Sequence, residues 1–159
     1  MKYSLIDLNS YLKSCYILVS RIQSPIRIAF KKGYLELAPG AYFYVGSARG
    51  SCDVIHRVLR HLSPSKKLKW HIDLLTVNSS VEAIGFFMVK YTGGDCESTL
   101  SFILSEKFNG IEGFGCTDKP GDRSHLYACT GILDECLHVL YEILEESGFE
   151  PIWIQRADA

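Results

Sequence analysis

Residues 41–62 change from a strand pattern to a helix pattern across one short turn, and no other part of the chain constrains the fold as strongly. Residues 42–47 read Tyr-Phe-Tyr-Val-Gly-Ser, a run of aromatic and β-branched residues that ends in a glycine turn. Ser51 is placed to cap the helix that follows. Val54, Ile55, Val58, Leu59 and Leu62 then form one apolar stripe at helical spacing, and Ser63-Pro64 ends the helix. On that helix Arg57 and His61 are four residues apart, about one turn, so one stands above the other. A strand tyrosine, Tyr44, together with the glycine turn and this Arg/His pair can surround one phosphate group from two sides.

The flanking sequence continues the alternation. Residues 15–22 are rich in β-formers, 26–30 alternate apolar with other residues, and 34–37 make a further short run ended by Ala-Pro-Gly. These read as a small antiparallel meander leading into the strand 41–46. A second helix is expected over 70–76, a buried strand over 81–91, and an amphipathic helix over 95–108 after Gly93-Gly94. A strand over 125–129 follows, then a helix that Thr130 caps and that runs through Leu133, Leu137, Leu140 and Leu144 to Gly148, and a terminal strand over 151–155. No repeat or linker divides the sequence. Residues 1–159 therefore read as one α/β domain, a small central antiparallel sheet flanked by helices.

A chain of 159 residues, 47% of them hydrophobic, can bury roughly two-thirds of its unfolded surface and needs no disulfide to fold. The cysteines at 15, 52, 96, 116, 129 and 136 include no Cys-x-x-Cys pair, and reduced, mostly buried thiols are expected. Residues 1–18 are interrupted by Asp7, Asn9, Ser10, Lys13 and Ser14, so they lack a signal-peptide core or a spanning run. A cytoplasmic protein with no membrane association is the expectation.

Net charge is −1, yet charge is unevenly distributed. Residues 49–71 hold six cations (Arg49, Arg57, Arg60, Lys66, Lys67 and Lys69) and three histidines against the single acid Asp53, whereas residues 131–150 hold six acids and no Lys or Arg. One surface seeks anions and another repels them. Arg49, Arg60, Lys66, Lys67 and Lys69 are candidates for contact with a nucleic-acid backbone. His71 and Asp73 either brace a helix against the sheet or touch substrate, and Trp70 and Trp153 read as core.

Hydrolysis of a phosphodiester needs an activated water, neutralisation of charge on the phosphoryl oxygens, and an acid or cation near the leaving oxygen. Arg57 suits the second task, because its guanidinium is planar, always charged and able to donate two hydrogen bonds to phosphate. His61 can exchange a proton near neutrality. Tyr44 can orient water or act as its base, although a phenol of pKa ~10 is ionised only about one part in a thousand at pH 7 without a nearby cation.

These residues resemble the GIY-YIG endonuclease superfamily. Tyr44-Val45-Gly46 is similar to its second signature, and Arg57-x-x-Arg60-His61 to the helical Arg and His that follow. The resemblance is greatest to a largely uncharacterised archaeal and bacterial branch sometimes associated with endonuclease III-like glycosylases. That branch also carries a Trp-His-Ile-Asp element, here residues 70–73, and a Phe-Gly-x-x-Asp element followed by Ser-His-Leu, here Phe114, Gly115, Asp118 and residues 124–126. The likeness covers residues 11–130 and leaves 131–156 as a C-terminal helix and strand.

By the same resemblance the first signature falls at residues 14–16, where Tyr16 is the one identity, and the long interval to Tyr44 implies an inserted hairpin. The family's metal-holding glutamate corresponds to Asp95, with Glu97 as the alternative. Aspartate keeps the hard oxygen ligands that magnesium prefers but is one methylene shorter. Relatives often carry a cysteine pair after Asp118, and residues 119–122 replace it here. Cys116, Asp118, His125 and Cys129 match no standard zinc spacing, so His125 is read as a strand histidine satisfied by backbone.

The resemblance implies an endonuclease that uses one Mg2+ or Mn2+ ion to hydrolyse phosphodiesters in nucleic acid, with DNA as the expected substrate and a DNA-repair protein as a possible partner. Tyr16 and Tyr44 would position or deprotonate water, Arg57 would stabilise the transition state, His61 would assist proton transfer, and Asp95 would hold the metal. The alternative is a nucleic-acid-binding or sensor module that keeps the fold with attenuated catalysis.

Overall fold

The computed structural model describes residues 7–50 and 52–157. The elements are α1 (Asn9–Leu12), β1 (Cys15–Ile22), β2 (Ile26–Phe30), β3 (Gly33–Leu37), β4 (Gly40–Ser47), α2 (Val54–Leu62), α3 (His71–Thr76), β5 (Val81–Lys90), α4 (Cys96–Ser105), β6 (Asn109–Gly110), β7 (Leu126–Cys129), α5 (Leu133–Glu146) and β8 (Glu150–Gln155). Six strands form one antiparallel sheet in the order β6-β7-β4-β1-β5-β8, and β2 and β3 form a separate two-stranded sheet. The architecture is α/β around an antiparallel sheet. Among the described residues, no helix is long and apolar enough to cross a membrane.

Both faces of the sheet are covered. Tyr16, Leu18, Tyr44 and Phe86 point to the side packed by α2, α3 and the β2–β3 hairpin, while Ile17, Val19, Phe43, Val45 and Phe87 point to the side packed by α4 and α5. This explains why 15–22 and 81–90 read as almost unbroken apolar runs. A strand buried on both faces has no solvent side on which to place polar residues.

The expected meander is corrected. After β1 the chain leaves the main sheet, and β1 pairs instead with β4 and β5, with Tyr16 opposite Gly46 and Met88. The inserted segment closes on itself, Ile26 opposite Leu37, and buries Ile26, Ile28 and Leu37 against the α3 side. A strand that already has β4 and β5 on its two edges has no edge left for β2.

Several local expectations also change. The proposed cap Ser51 lies outside the described residues, and Asp53 caps α2 by accepting from the His56 amide at 2.9 Å. Leu59 is exposed, and the buried face of α2 is Val54, Val58 and His61, at i, i+4 and i+7. Leu59 is about 100° around the helix from Val58, which turns it to solvent. Helix α4 ends at Ser105, and α5 begins after Ile132 with no side-chain cap, leaving Thr130 exposed.

The cysteine expectation is overturned. Cys15 bonds Cys96 across 81 positions, and Cys129 bonds Cys136 across seven; Cys52 and Cys116 are free. The first bridge ties the start of β1 to the first turn of α4. Its partners are too far apart in sequence for spacing to reveal them, and only packing brings their Cα atoms to 6.2 Å. Replacing Cys15 by Ser is expected to lower the unfolding free energy by about 2–5 kcal/mol. Denaturant curves with and without reductant check this, and identical midpoints for both would contradict it.

Candidate functional site

The site grows from one cross-strand pair. In the β1–β4 register Tyr16 lies opposite Gly46 and Leu18 opposite Tyr44, so both tyrosines emerge on the same face of neighbouring strands. Gly46 has no side chain to occupy the space above it, and the Tyr16 ring fills that space. A β-carbon at position 46 would overlap the ring. The Tyr16 hydroxyl thereby reaches α2 and hydrogen-bonds His61 Nε2 at 2.7 Å. Tyr44 presents its ring to the edge of His61, with centroids 6.0 Å apart, and rests against Gly115, whose φ of +74° and close approach both require glycine.

Burial, followed by the charge of Lys66, lowers the His61 pKa to about 4, so the imidazole is neutral at pH 7. Burial raises the pKa of both Tyr16 and Tyr44, which keeps the phenols protonated. The polarity of the contact follows: Tyr16 donates, His61 Nε2 accepts, and the imidazole proton sits on Nδ1. That nitrogen is buried, has no hydrogen-bond partner, and lies 4.0 Å from Asp73 Oδ1.

Asp73 is fully buried, and four donors surround it: Arg60 through both terminal nitrogens at 2.6 and 2.9 Å, and the Lys69 and Trp70 amides at 2.8 and 2.9 Å. Burial alone would raise its pKa, but the Arg60 guanidinium and the two amides outweigh burial and hold it at about 2. Asp73 is thus an ionised brace between α2 and the start of α3. His71 likewise serves structure, its Nδ1 accepting from the Gly115 amide at 3.0 Å.

A cleft of about 350 Å3 opens beside the tyrosines, lined by Tyr16, Tyr44, Ser47, Arg57, Lys69, Trp70, Glu97 and Asp118. Arg57 makes no ion pair among the described residues, and its Nε is buried without a partner. Its guanidinium stacks 4.8 Å from the centroid of Trp70, around which Arg60 and Lys69 also gather at 4.4 and 4.8 Å. Trp70 is partly buried against the core as expected and also holds Arg57 in place by cation–π attraction. Trp153 packs on Phe87 at 4.9 Å.

The two acids considered for a metal occupy different places. Asp95 is the N-cap of α4: one carboxylate oxygen accepts from the Glu97 and Ser98 amides and the other pairs with Lys119 at 2.6 Å, exposed and outside the cleft. Lys119 is the main cause of its pKa falling to about 2. Glu97 lines the cleft. Burial would raise its pKa, but His125 and the Ser47 hydroxyl outweigh burial and keep it below the ordinary carboxylate range. Among the described residues no group of three or more His, Cys, Asp or Glu is arranged to hold a metal ion.

The basic run divides in the same way. Arg57 and Lys69 reach the cleft. Arg60 is held by Asp73 and the Lys67 carbonyl, and Lys66 caps the end of α2 by donating to the Arg60 and His61 carbonyls. Lys67 is exposed, and Arg49 donates to the Gly94 carbonyl. Sequence reasoning missed the cleft positions of Ser47 and Asp118. It also missed the surroundings of His125, whose ring nitrogens face the carboxylates of Asp122 and Glu97 and not the backbone. The Asp122/His125 spacing was a local signal for the first contact, whereas the second depends on α4.

Together these features define an antiparallel α/β domain with a cleft of Tyr, Arg and Glu side chains at one end of the sheet. The chain belongs to the family described as Domain of unknown function DUF123, whose family model matches residues 15–146 and so includes every cleft residue named above. No curated protein and no solved structure matches the chain.

Two outcomes are expected. Gly46→Ala forces the Tyr16 ring to move and destabilises the fold by about 1–3 kcal/mol, read as a lowered denaturation midpoint with a perturbed Tyr16 resonance. His61 makes stability depend on acid. Its unfolded imidazole binds a proton near pH 6.5, and the folded one refuses it until about pH 4. The unfolded state therefore binds more protons in that window, and stability falls as pH drops through it, by about 3 kcal/mol. Comparing denaturation of wild type and His61→Gln from pH 7 to pH 4 checks this: the variant should lose less.

Proposed function

We propose that the cleft hydrolyses phosphodiester bonds of nucleic acid, with DNA as the substrate, in the manner implied by the resemblance to the GIY-YIG endonucleases. The observation that carries the reading is the convergence, on one cleft, of an Arg57 with no ionic partner among the described residues and an ionised Glu97, beside a tyrosine whose hydroxyl is directed at a neutral imidazole. Arg57 donates to the non-bridging phosphoryl oxygens and, with Lys69, offsets the charge that grows there. As water attacks phosphorus and the P–O bond to the leaving oxygen breaks, the Tyr16 oxygen takes the water proton while its own proton passes to His61 Nε2, and the leaving alkoxide takes a proton from solvent. The imidazolium formed is steadied by Asp73, 4.0 Å from its Nδ1. Tyr44 closes the opposite wall and orients the water.

Glu97 suits a divalent ion better than Asp95. Magnesium takes hard oxygens, keeps most of its waters and needs only one or two carboxylates besides the phosphate. Glu97 presents an ionised carboxylate in the cleft near Asp118, whereas Asp95 is committed to the α4 amides and Lys119. When bound, Mg2+ or Mn2+ supplies positive charge to the phosphoryl and leaving oxygens.

A second reading, a nucleic-acid-binding or sensor module without turnover, draws on the upward pKa shifts of both tyrosines, which remove the simplest base. The two are separated by incubating the protein with linear, nicked and branched DNA in Mg2+, Mn2+ or chelator. Metal-dependent cleavage is expected, with Arg57→Ala and Glu97→Gln each slower by about 100- to 1,000-fold. Asp95→Asn should cleave within a few-fold of wild type. Salt-sensitive binding without cleavage on the whole panel, unchanged in Arg57→Ala, would overturn the enzyme reading.

A further inference from the structure

Asp122 and His125 take no part in the chemistry above, yet they form a buried chain that ends on Glu97. His125 is fully buried. Its Nε2 is 2.8 Å from Asp122 Oδ2, and its Nδ1 is 3.0 Å from Glu97 Oε1. Asp122 is steadied in turn by the Ser98 hydroxyl at 2.9 Å, one residue after Glu97. Backbone bonds already fix the histidine: its amide donates to Phe114 and its carbonyl accepts from Val45. The Asp122 contact satisfies one ring nitrogen, so anchoring the loop does not require the second carboxylate.

The second contact points to the cleft. Nδ1 is buried 3.0 Å from Glu97 Oε1, and among the described residues no other carboxylate pairs with that nitrogen. Glu97 itself lines the cleft.

We infer that Asp122 and His125 are positioning residues. The imidazole, fixed from behind by Asp122, holds the Glu97 carboxylate at the angle at which it binds a divalent cation in the cleft. Buried imidazole–carboxylate contacts are how proteins commonly orient an ion-binding group, and their loss weakens ion affinity by about 10- to 100-fold. The inference rests on the reading of Glu97 as the ion-holding acid, and the two fail differently.

The test is Mn2+ titration followed by electron paramagnetic resonance of the free ion, without DNA, on wild type, Glu97→Gln, His125→Gln, Asp122→Ala and Asp122→Asn, with thermal midpoints alongside. Glu97→Gln should lose the site. His125→Gln and Asp122→Ala should bind about 10- to 100-fold more weakly while still folded, and Asp122→Asn, which keeps an acceptor for Nε2, should recover most of the affinity. If folded His125→Gln and Asp122→Ala bind as tightly as wild type, the positioning role is overturned and Glu97 keeps its own. If wild type binds no better than Glu97→Gln, both readings fall. If both variants lose their fold, the cluster is structural and the inference is likewise overturned.

Discussion

Much of the site depends on the crossing of the Tyr16 ring over Gly46. It is possible only because β1 pairs with β4 in a register that sets a tyrosine opposite a residue without a side chain. From that crossing follow the reach of Tyr16 to His61, the burial of His61 between α2 and the sheet and the loss of its charge at neutral pH. Shifting that register by one residue would put Tyr16 and Tyr44 on opposite faces of the sheet.

Two sides of the sheet contribute to one cleft, and each is braced by its own device. On the α2 side the brace is Asp73, whose buried charge is offset by Arg60 and two amides, and on the α4 side it is the Cys15–Cys96 bridge. Cys15 precedes Tyr16 and Cys96 precedes Glu97, so the bridge joins the direct neighbours of a cleft phenol and a cleft carboxylate. The residues that brace the cleft are thus distinct from those that face it, and charged groups serve on both sides of that division. Arg60 and Arg57 are one helical turn apart, yet the first is paired twice with a buried carboxylate while the second faces the cleft without an ionic partner among the described residues.

That division explains how much of the site could be read beforehand. Tyr44, Arg57 and His61 sit close in sequence on a strand and the next helix, so period and spacing alone bring them together: Tyr44 and Arg57 line the cleft, and His61 lies buried against the Tyr44 ring. The acid was harder to place. Asp95 and Glu97 are two residues apart, and only the start of α4 decides between them: Asp95 becomes the cap because its short side chain reaches the first free amides, and Glu97, a step into the helix, turns to the cleft. The same holds for Arg60 and Lys66, which look as free as Lys69 in the sequence but are held by Asp73 and by the end of α2.

The order of the longer strands and helices, the strand–helix unit of residues 41–62 and the uneven charge, though not the short elements α1 and β6, were determined by the sequence itself. Each depends on local periodicity or composition, and those do not change when the chain folds. Tertiary structure alone decided that β1 lies between β4 and β5, that four cysteines pair, that Glu97 and not Asp95 borders the cleft, and that His125 lies between two carboxylates. Each of these depends on groups brought together from distant positions or on which way a side chain turns once packed, and such proximity exists only after the two faces of the sheet are covered.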